Sequence, residues 1–153
     1  MKIKTYALKD SKVTLKKGKY WVGDPCYIFS DDAWTELCNQ MFGNRNNTEF
    51  DDSNHVRVVE VKFENKNFTC YLFGTAYGDG SYPFKFNGKF KDTLGVDAGM
   101  LSVIPIELTN IKNWGESKNS GTIITLNKDV IGKMYVNNGD FEFSNVIQIT
   151  TDY

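Results

Sequence analysis

The stretch SYPFKFNGKFK, residues 81–91, is the part of the sequence that most directly indicates the fold. Aromatic and polar residues alternate on both sides of Asn87-Gly88, and alternation with a period of two is typical of a half-buried strand. Asn-Gly is the dipeptide that two-residue hairpin turns prefer, because both central residues of such a turn need a positive φ. The stretch therefore predicts an antiparallel hairpin.

The same period extends outward from this hairpin. Residues 56–63 and 68–76 predict a second antiparallel pair, and Asn138-Gly139 predicts a last hairpin into residues 141–149. The pattern also predicts a short first hairpin of residues 13–15 and 19–22, turned at Lys17-Gly18. Single strands are predicted at residues 101–104, 122–126 and 130–136. We therefore predict a mostly β chain, an antiparallel sandwich or barrel of about nine or ten strands.

One segment has a helical period instead. Its apolar residues fall on a single helical stripe and are Ala33, Trp34, Leu37, Cys38 and Met41. Ser30 or Asp31 can cap the start and Gly43 can end the segment, so one helix is predicted near residues 31–42.

Composition and charge limit the classes of protein. The chain has 153 residues, of which 41% are hydrophobic and 24% charged, and no shift of composition divides it, so we predict one domain over residues 1–153. A net charge of −1 gives no overall attraction to a nucleic-acid polymer or to a membrane, so neither is predicted as a partner. The lysines near the N-terminus are interpreted as a solvent face or a protected sheet edge, with a phosphate-facing patch as the alternative. Without a signal-peptide-like run or a cysteine framework, the sequence predicts a cytoplasmic protein with reduced thiols.

Residues for acid–base chemistry are scarce. The single histidine, His55, rules out a His-rich metal site and is the only base available to a Ser-His-Asp triad. Its position after a polar stretch predicts an exposed loop. Cys26 has no other candidate base and is interpreted as a packed thiol. These features favour a binding protein over an enzyme, and no catalytic residue is assigned.

Three short motifs join aspartate to glycine: GDPCY at residues 23–27, GDGSY at 78–82 and VDAG at 96–99. In the first, Pro25 holds Asp24 extended, so Asp24 is either a rigid site carboxylate or an acceptor of backbone N–H groups in an Asx-type turn. In the second, glycines on both sides of Asp79 let the backbone approach a ligand, and the flanking tyrosines can stack on a base or sugar. All three motifs also fit structural turns.

Taken together, these motifs resemble a family of small GDPCY-type proteins of bacteriophages and bacteria, whose larger bacterial relatives carry similar Asp-Pro, Gly-Asp-Gly-x-Tyr and Val-Asp-Ala-Gly motifs. The resemblance covers roughly residues 18–105 and assigns no activity. It implies a phage protein in the bacterial host cytoplasm, with the three motifs in one site. Small β proteins of phages often act against host defence, including by sequestering nucleotide-derived signals, and this resemblance implies the same.

The sequence thus predicts a non-enzymatic protein that binds a small ligand, nucleotide-derived or otherwise, or a host protein. The predicted ligand-binding residues are Asp24, Tyr27, Tyr77, Asp79, Gly80, Tyr82 and Asp97. No cofactor or metal is predicted for this function. One alternative is a phosphoester hydrolase in which the same carboxylates hold a divalent metal ion. The other is a purely structural or interaction protein whose motifs are turns.

Overall fold

In a computed structural model of the chain, the residues described are 2–8, 11–25, 35–36, 39, 52–109 and 120–152. They form twelve strands: β1 (Lys2–Ala7), β2 (Lys12–Leu15), β3 (Gly18–Gly23), β4 (Arg57–Phe63), β5 (Lys66–Gly74), β6 (Gly80–Phe86), β7 (Lys89–Val96), β8 (Met100–Pro105), β9 (Gly121–Leu126), β10 (Val130–Asn137), β11 (Asp140–Phe143) and β12 (Ile147–Ile149). A 3-10 turn, Ile106–Leu108, follows β8.

The strands form two six-stranded sheets in which neighbouring strands are antiparallel. The first sheet has the order β1-β4-β5-β8-β3-β9 and the second has the order β2-β10-β11-β12-β6-β7. The prediction of a mostly β, antiparallel chain is confirmed. The described residues contain twelve strands rather than nine or ten, and the sheets stay open, so the barrel alternative is wrong.

One apolar core lies between the two sheets. Phe73 of β5 stacks on Phe141 of β11, with ring centroids 4.5 Å apart, so the ring contact joins the two layers. A second buried cluster, which includes Trp21, Val59 and Leu72, lies on the other face of the first sheet. Because that sheet is buried on both faces, its central strands are apolar without alternation, and β8 is buried at every position.

The predicted hairpins form where paired positive-φ residues make the turn. Asn87 and Gly88 have φ of 53° and 79° between β6 and β7, and Asn138 and Gly139 have φ of 50° and 82° between β10 and β11. Glu64 and Asn65 connect β4 to β5 in the same way. These three predictions are confirmed, because a two-residue turn of this kind sets the register of both strands by itself.

Two predictions about strand pairing are wrong. β2 and β3 do not form a hairpin: β2 pairs with β10 in the second sheet, and β3 lies between β8 and β9 in the first. Residues 141–149 are not one strand, because Ser144 and Asn145, with φ of 47° and 61°, turn the chain between β11 and β12. Both errors concern turns that carry no Asn-Gly pair.

The helix predicted near residues 31–42 lies outside the described residues, except for Thr35, Glu36 and Asn39, which are helical and exposed. Within the part of the chain that the structure describes, no helix has the length and apolar character needed to span a membrane.

Candidate functional site

The three Asp/Gly motifs meet at one end of the two sheets. Gly80 pairs with Val96 at the open end of the β6–β7 hairpin, which places the second motif beside the third. The backbone N–H of Thr75 donates to the carbonyl of Gly99 at 3.2 Å. A Cβ built on Gly99 would lie 4.0 Å from the Cα of Gly78. The loops that carry the second and third motifs are therefore packed side by side.

Asp24 connects the first motif to the third. Its side chain is fully buried, and its Oδ2 accepts the backbone N–H of Asp97 at 2.6 Å and that of Ala98 at 3.0 Å. The interpretation of Asp24 as an acceptor of backbone N–H groups matches this geometry, but the donors lie 73 and 74 residues away instead of in its own turn. Such charge-assisted hydrogen bonds are stronger than neutral ones, so Asp24 holds the third motif in place.

The backbone around Asp24 has little room. The N–H of Asp24 donates to the carbonyl of Ser120 at 2.8 Å, and the indole N–H of Trp21 donates to the carbonyl of Asp24 at 3.2 Å. A Cβ on Gly23 would lie 2.2 Å from the carbonyl oxygen of Ser120. Glycine is needed at Gly23 because β9 approaches β3 too closely for a side chain.

The second motif forms a loop around the carbonyl of Gly78. The hydroxyl of Thr75 donates to this carbonyl at 2.6 Å, and the hydroxyl of Tyr82 donates to it at 2.9 Å. Tyr82 is only 2% exposed, so its ring lies beneath the loop. Of the two tyrosines that bracket the motif, Tyr77 alone presents its ring to solvent, with 63% of its surface exposed.

Tyr77 and Asp79 form the outer surface of this loop. The hydroxyl of Tyr77 donates to Oδ1 of Asp152 at 3.0 Å, and this hydrogen bond raises the pKa of Tyr77. Asp79 is exposed, and its carboxylate makes no hydrogen bond or ion pair with the described residues. Asp97 is exposed as well. Tyr77 therefore has a fixed orientation, while Asp79 faces solvent.

A further Gly-Asp pair, Gly139-Asp140, lies beside the motifs. Oδ1 of Asp140 accepts the backbone N–H groups of Thr151 and Asp152 at 2.8 and 2.9 Å, as Asp24 does for its own pair. The hydroxyl of Thr151 accepts the N–H of Ala76 at 2.9 Å and donates to the carbonyl of Gly139 at 2.6 Å. Asp140 directly follows the predicted Asn138-Gly139 turn and has no predicted role, and nothing in the sequence marks Thr151.

The predicted site residues thus separate into two groups. Asp24 and Tyr82 are buried and bonded to backbone groups, whereas Tyr77, Asp79, Gly80 and Asp97 are exposed on the adjacent segments that carry the second and third motifs. Tyr27 lies outside the described residues. His55 is exposed in a bend, as expected. Among the described residues no group of three or more His, Cys, Asp and Glu side chains is placed to hold a metal ion.

Comparison with known proteins adds no family to this geometry. No protein-family model, no curated protein and no solved structure matches the chain.

Proposed function

We propose that the chain is a non-enzymatic binding protein that holds a small ligand on the loop surface formed by Tyr77, Asp79, Gly80 and Asp97. The observation that carries the proposal is the difference among the three Gly-Asp pairs. Asp24 and Asp140 each accept two consecutive backbone N–H groups, whereas Asp79 is exposed and has no such partner in the described residues. A carboxylate that the fold does not use is available to a ligand.

The surface favours a ligand with hydrogen-bond donors. Asp79 accepts from hydroxyl or amino groups, and the exposed ring of Tyr77 offers a face for a base or a sugar. Asp152, which accepts the hydroxyl of Tyr77, and Asp97, which follows the partner of Gly80, add negative charge at this end of the sheets. Coulomb repulsion therefore disfavours phosphate groups at this end, and the part of a nucleotide-derived ligand that fits here is the nucleoside.

The small molecules that co-purify with the protein test this proposal first. Native mass spectrometry is expected to show a bound nucleoside, sugar or related molecule that denaturation releases. Calorimetry with that molecule then compares the natural chain with Asp79→Asn and Tyr77→Ala, and with Glu107→Gln as an exposed control beyond β8. We expect both loop variants to lose binding with unchanged melting temperatures, and the control to bind as the natural chain does.

Equal binding by all three variants would contradict the assignment to this loop. The absence of any co-purified molecule, together with no heat from a panel of nucleosides and sugars, would contradict the function itself. Metal-dependent turnover of a nucleotide would instead support the hydrolase alternative. If the ligand is instead a host protein bound through the same loop, Asp79→Asn is expected to weaken its binding. The panel of nucleosides and sugars is then expected to give no heat.

A further inference from the structure

Two contiguous grooves lie at the other end of the first sheet, away from the motifs. One, of about 460 Å³, crosses β1, β4 and β5 and is lined by Lys2, Lys4 and Lys62, among others. The second, of about 280 Å³, lies beside the β2–β3 turn and is lined by Lys16, Lys17 and Lys19, among others. Asn67, Phe68 and Thr69 line both grooves and make them one continuous surface, called here the lysine groove.

The floor of the lysine groove belongs to the face of the first sheet that packs against the core between the sheets. At this end of the sheet, that face extends beyond the edge of the core. Lys2 pairs with Lys62, and Lys62 pairs with Asn67, so these side chains share one face. Tyr71, four residues beyond Asn67 on the same face, belongs to the core between the sheets. Lys2, Lys62 and Asn67 are nevertheless exposed, so the second sheet does not cover this part of the face.

Charge is concentrated in the lysine groove. Its two halves carry six lysines and only two glutamates, Glu60 and Glu107, in a chain whose net charge is −1. Glu60 accepts a hydrogen bond from the hydroxyl of Tyr6 at 2.8 Å. The Asp-rich motif end therefore faces away from a basic end, although the total charge is close to zero.

Protection of a sheet edge accounts for only part of this pattern. Lys2 and Lys4 lie on β1, an edge strand, where lysine prevents pairing with other chains. Lys62 lies on β4, which is an interior strand, and Lys16 and Lys17 lie in the crossing between the two sheets. Lysines from three separate segments of the chain therefore converge on one concave surface.

We propose that the lysine groove binds single-stranded nucleic acid. The groove spans the five strands from β1 to β3, which at about 4.8 Å per strand is about 19 Å, long enough for an extended ligand rather than a single phosphate. Lysines on both halves neutralise phosphates, and Asn67 and Thr69, whose side chains share the face of Lys62, offer donors and acceptors to base edges. A concave surface of this kind fits a strand better than a flat membrane.

Fluorescence anisotropy with a labelled oligo-dT strand of about 16 nucleotides tests the proposal. We expect saturable binding that weakens as salt rises from about 50 to 200 mM. The triple variant Lys4→Gln, Lys17→Gln, Lys62→Gln is expected to bind about a hundredfold more weakly at about 0.1 M salt, with a salt slope smaller by about 2. Its matched control is Lys85→Gln, Lys89→Gln, Lys91→Gln, three exposed lysines on the β6–β7 hairpin, and this variant is expected to bind as the natural chain does.

Two outcomes would overturn the proposal directly: no binding at about 50 mM salt, or equal losses of affinity in the two triple variants. A third would be that polyphosphate displaces the labelled strand as effectively as unlabelled strand does, at equal phosphate concentration. The last outcome would reduce the lysine groove to a general anion surface. Melting curves of both variants establish that the substitutions leave the fold intact, which is expected because all six side chains are exposed.

Discussion

The carboxylate of Asp24 accepts the backbone N–H of Asp97 at 2.6 Å, and this contact joins two motifs that lie 73 residues apart in the chain. The side chain of Asp24 is fully buried, so the bond forms away from solvent. Its partner loop also supplies the carbonyl of Gly99 to Thr75. Asp24 therefore positions the loop surface proposed to bind ligand, without being exposed to that ligand itself.

Replacement of Asp24 by alanine is expected to lower the free energy of unfolding by about 3 kcal/mol, because two backbone N–H groups lose a charged acceptor. Urea denaturation measures the change. Asp79→Ala is the control, since its exposed carboxylate has no partner in the described residues, and it is expected to change stability by less than about 0.5 kcal/mol. Equal effects of the two substitutions would contradict the structural role of Asp24.

Gly139 is expected to tolerate no side chain, in contrast to Gly88. Both have similar positive φ, 82° and 79°, at the same position of an Asn-Gly turn. A Cβ on Gly139 would lie 2.2 Å from the N of Ala76, whereas one on Gly88 meets nothing within 4 Å. Gly88→Ala is expected to cost about 1 kcal/mol from backbone strain alone. Gly139→Ala adds a backbone clash and is expected to cost at least about 2 kcal/mol more by thermal unfolding; equal costs would contradict the close packing.

Stability is expected to fall at high pH through Tyr20. Burial raises the pKa of Tyr20 from 10.0 to about 12, so the folded protein keeps a proton that the unfolded chain loses first. The contribution is complete below about pH 10 and is lost as pH rises from about 10 to 12. Tyr20→Phe is expected to make this fall less steep, at the cost of the hydrogen bond that its hydroxyl donates to the carbonyl of Lys16. Denaturation midpoints across that range measure the slope, and an unchanged slope in the variant would count against the assignment.

Cys70 is expected to resist alkylation in the folded protein. Its side chain is fully buried in β5, and burial raises the pKa of the thiol, so the reactive thiolate is scarce. Iodoacetamide treatment followed by peptide mass spectrometry should leave the Cys70 peptide unmodified without denaturant and modified in urea. Modification of native Cys70 at the rate of a free thiol would show that β5 opens locally.

Features that depend on neighbouring residues could be predicted from the sequence, whereas features that depend on residues far apart in the chain could not. The Asn87-Gly88 and Asn138-Gly139 hairpins were predicted because two adjacent residues determine the turn. The separation of β2 from β3 could not be predicted, since it depends on the pairing of β2 with β10 and of β3 with β8 and β9, strands far away in the chain. The motifs indicate turns or site candidates by their residue types alone, but the burial of Tyr82 and the partners of Asp24 depend on loops far away in the chain.

The strand orders of the two sheets also constrain how the chain folds as it is made. Among the described residues β2, at residues 12–15, pairs with β10 alone, and β3 is flanked by β8 and β9, so these two strands find their partners about 80 residues or more later. Pairings of such high sequence separation close slowly, because loop entropy must be overcome before the contacts form. Neither sheet can be completed by an N-terminal fragment. We therefore expect folding to wait until the second half of the chain has left the ribosome, and fragments divided between β5 and β6 to gain structure only when both are present.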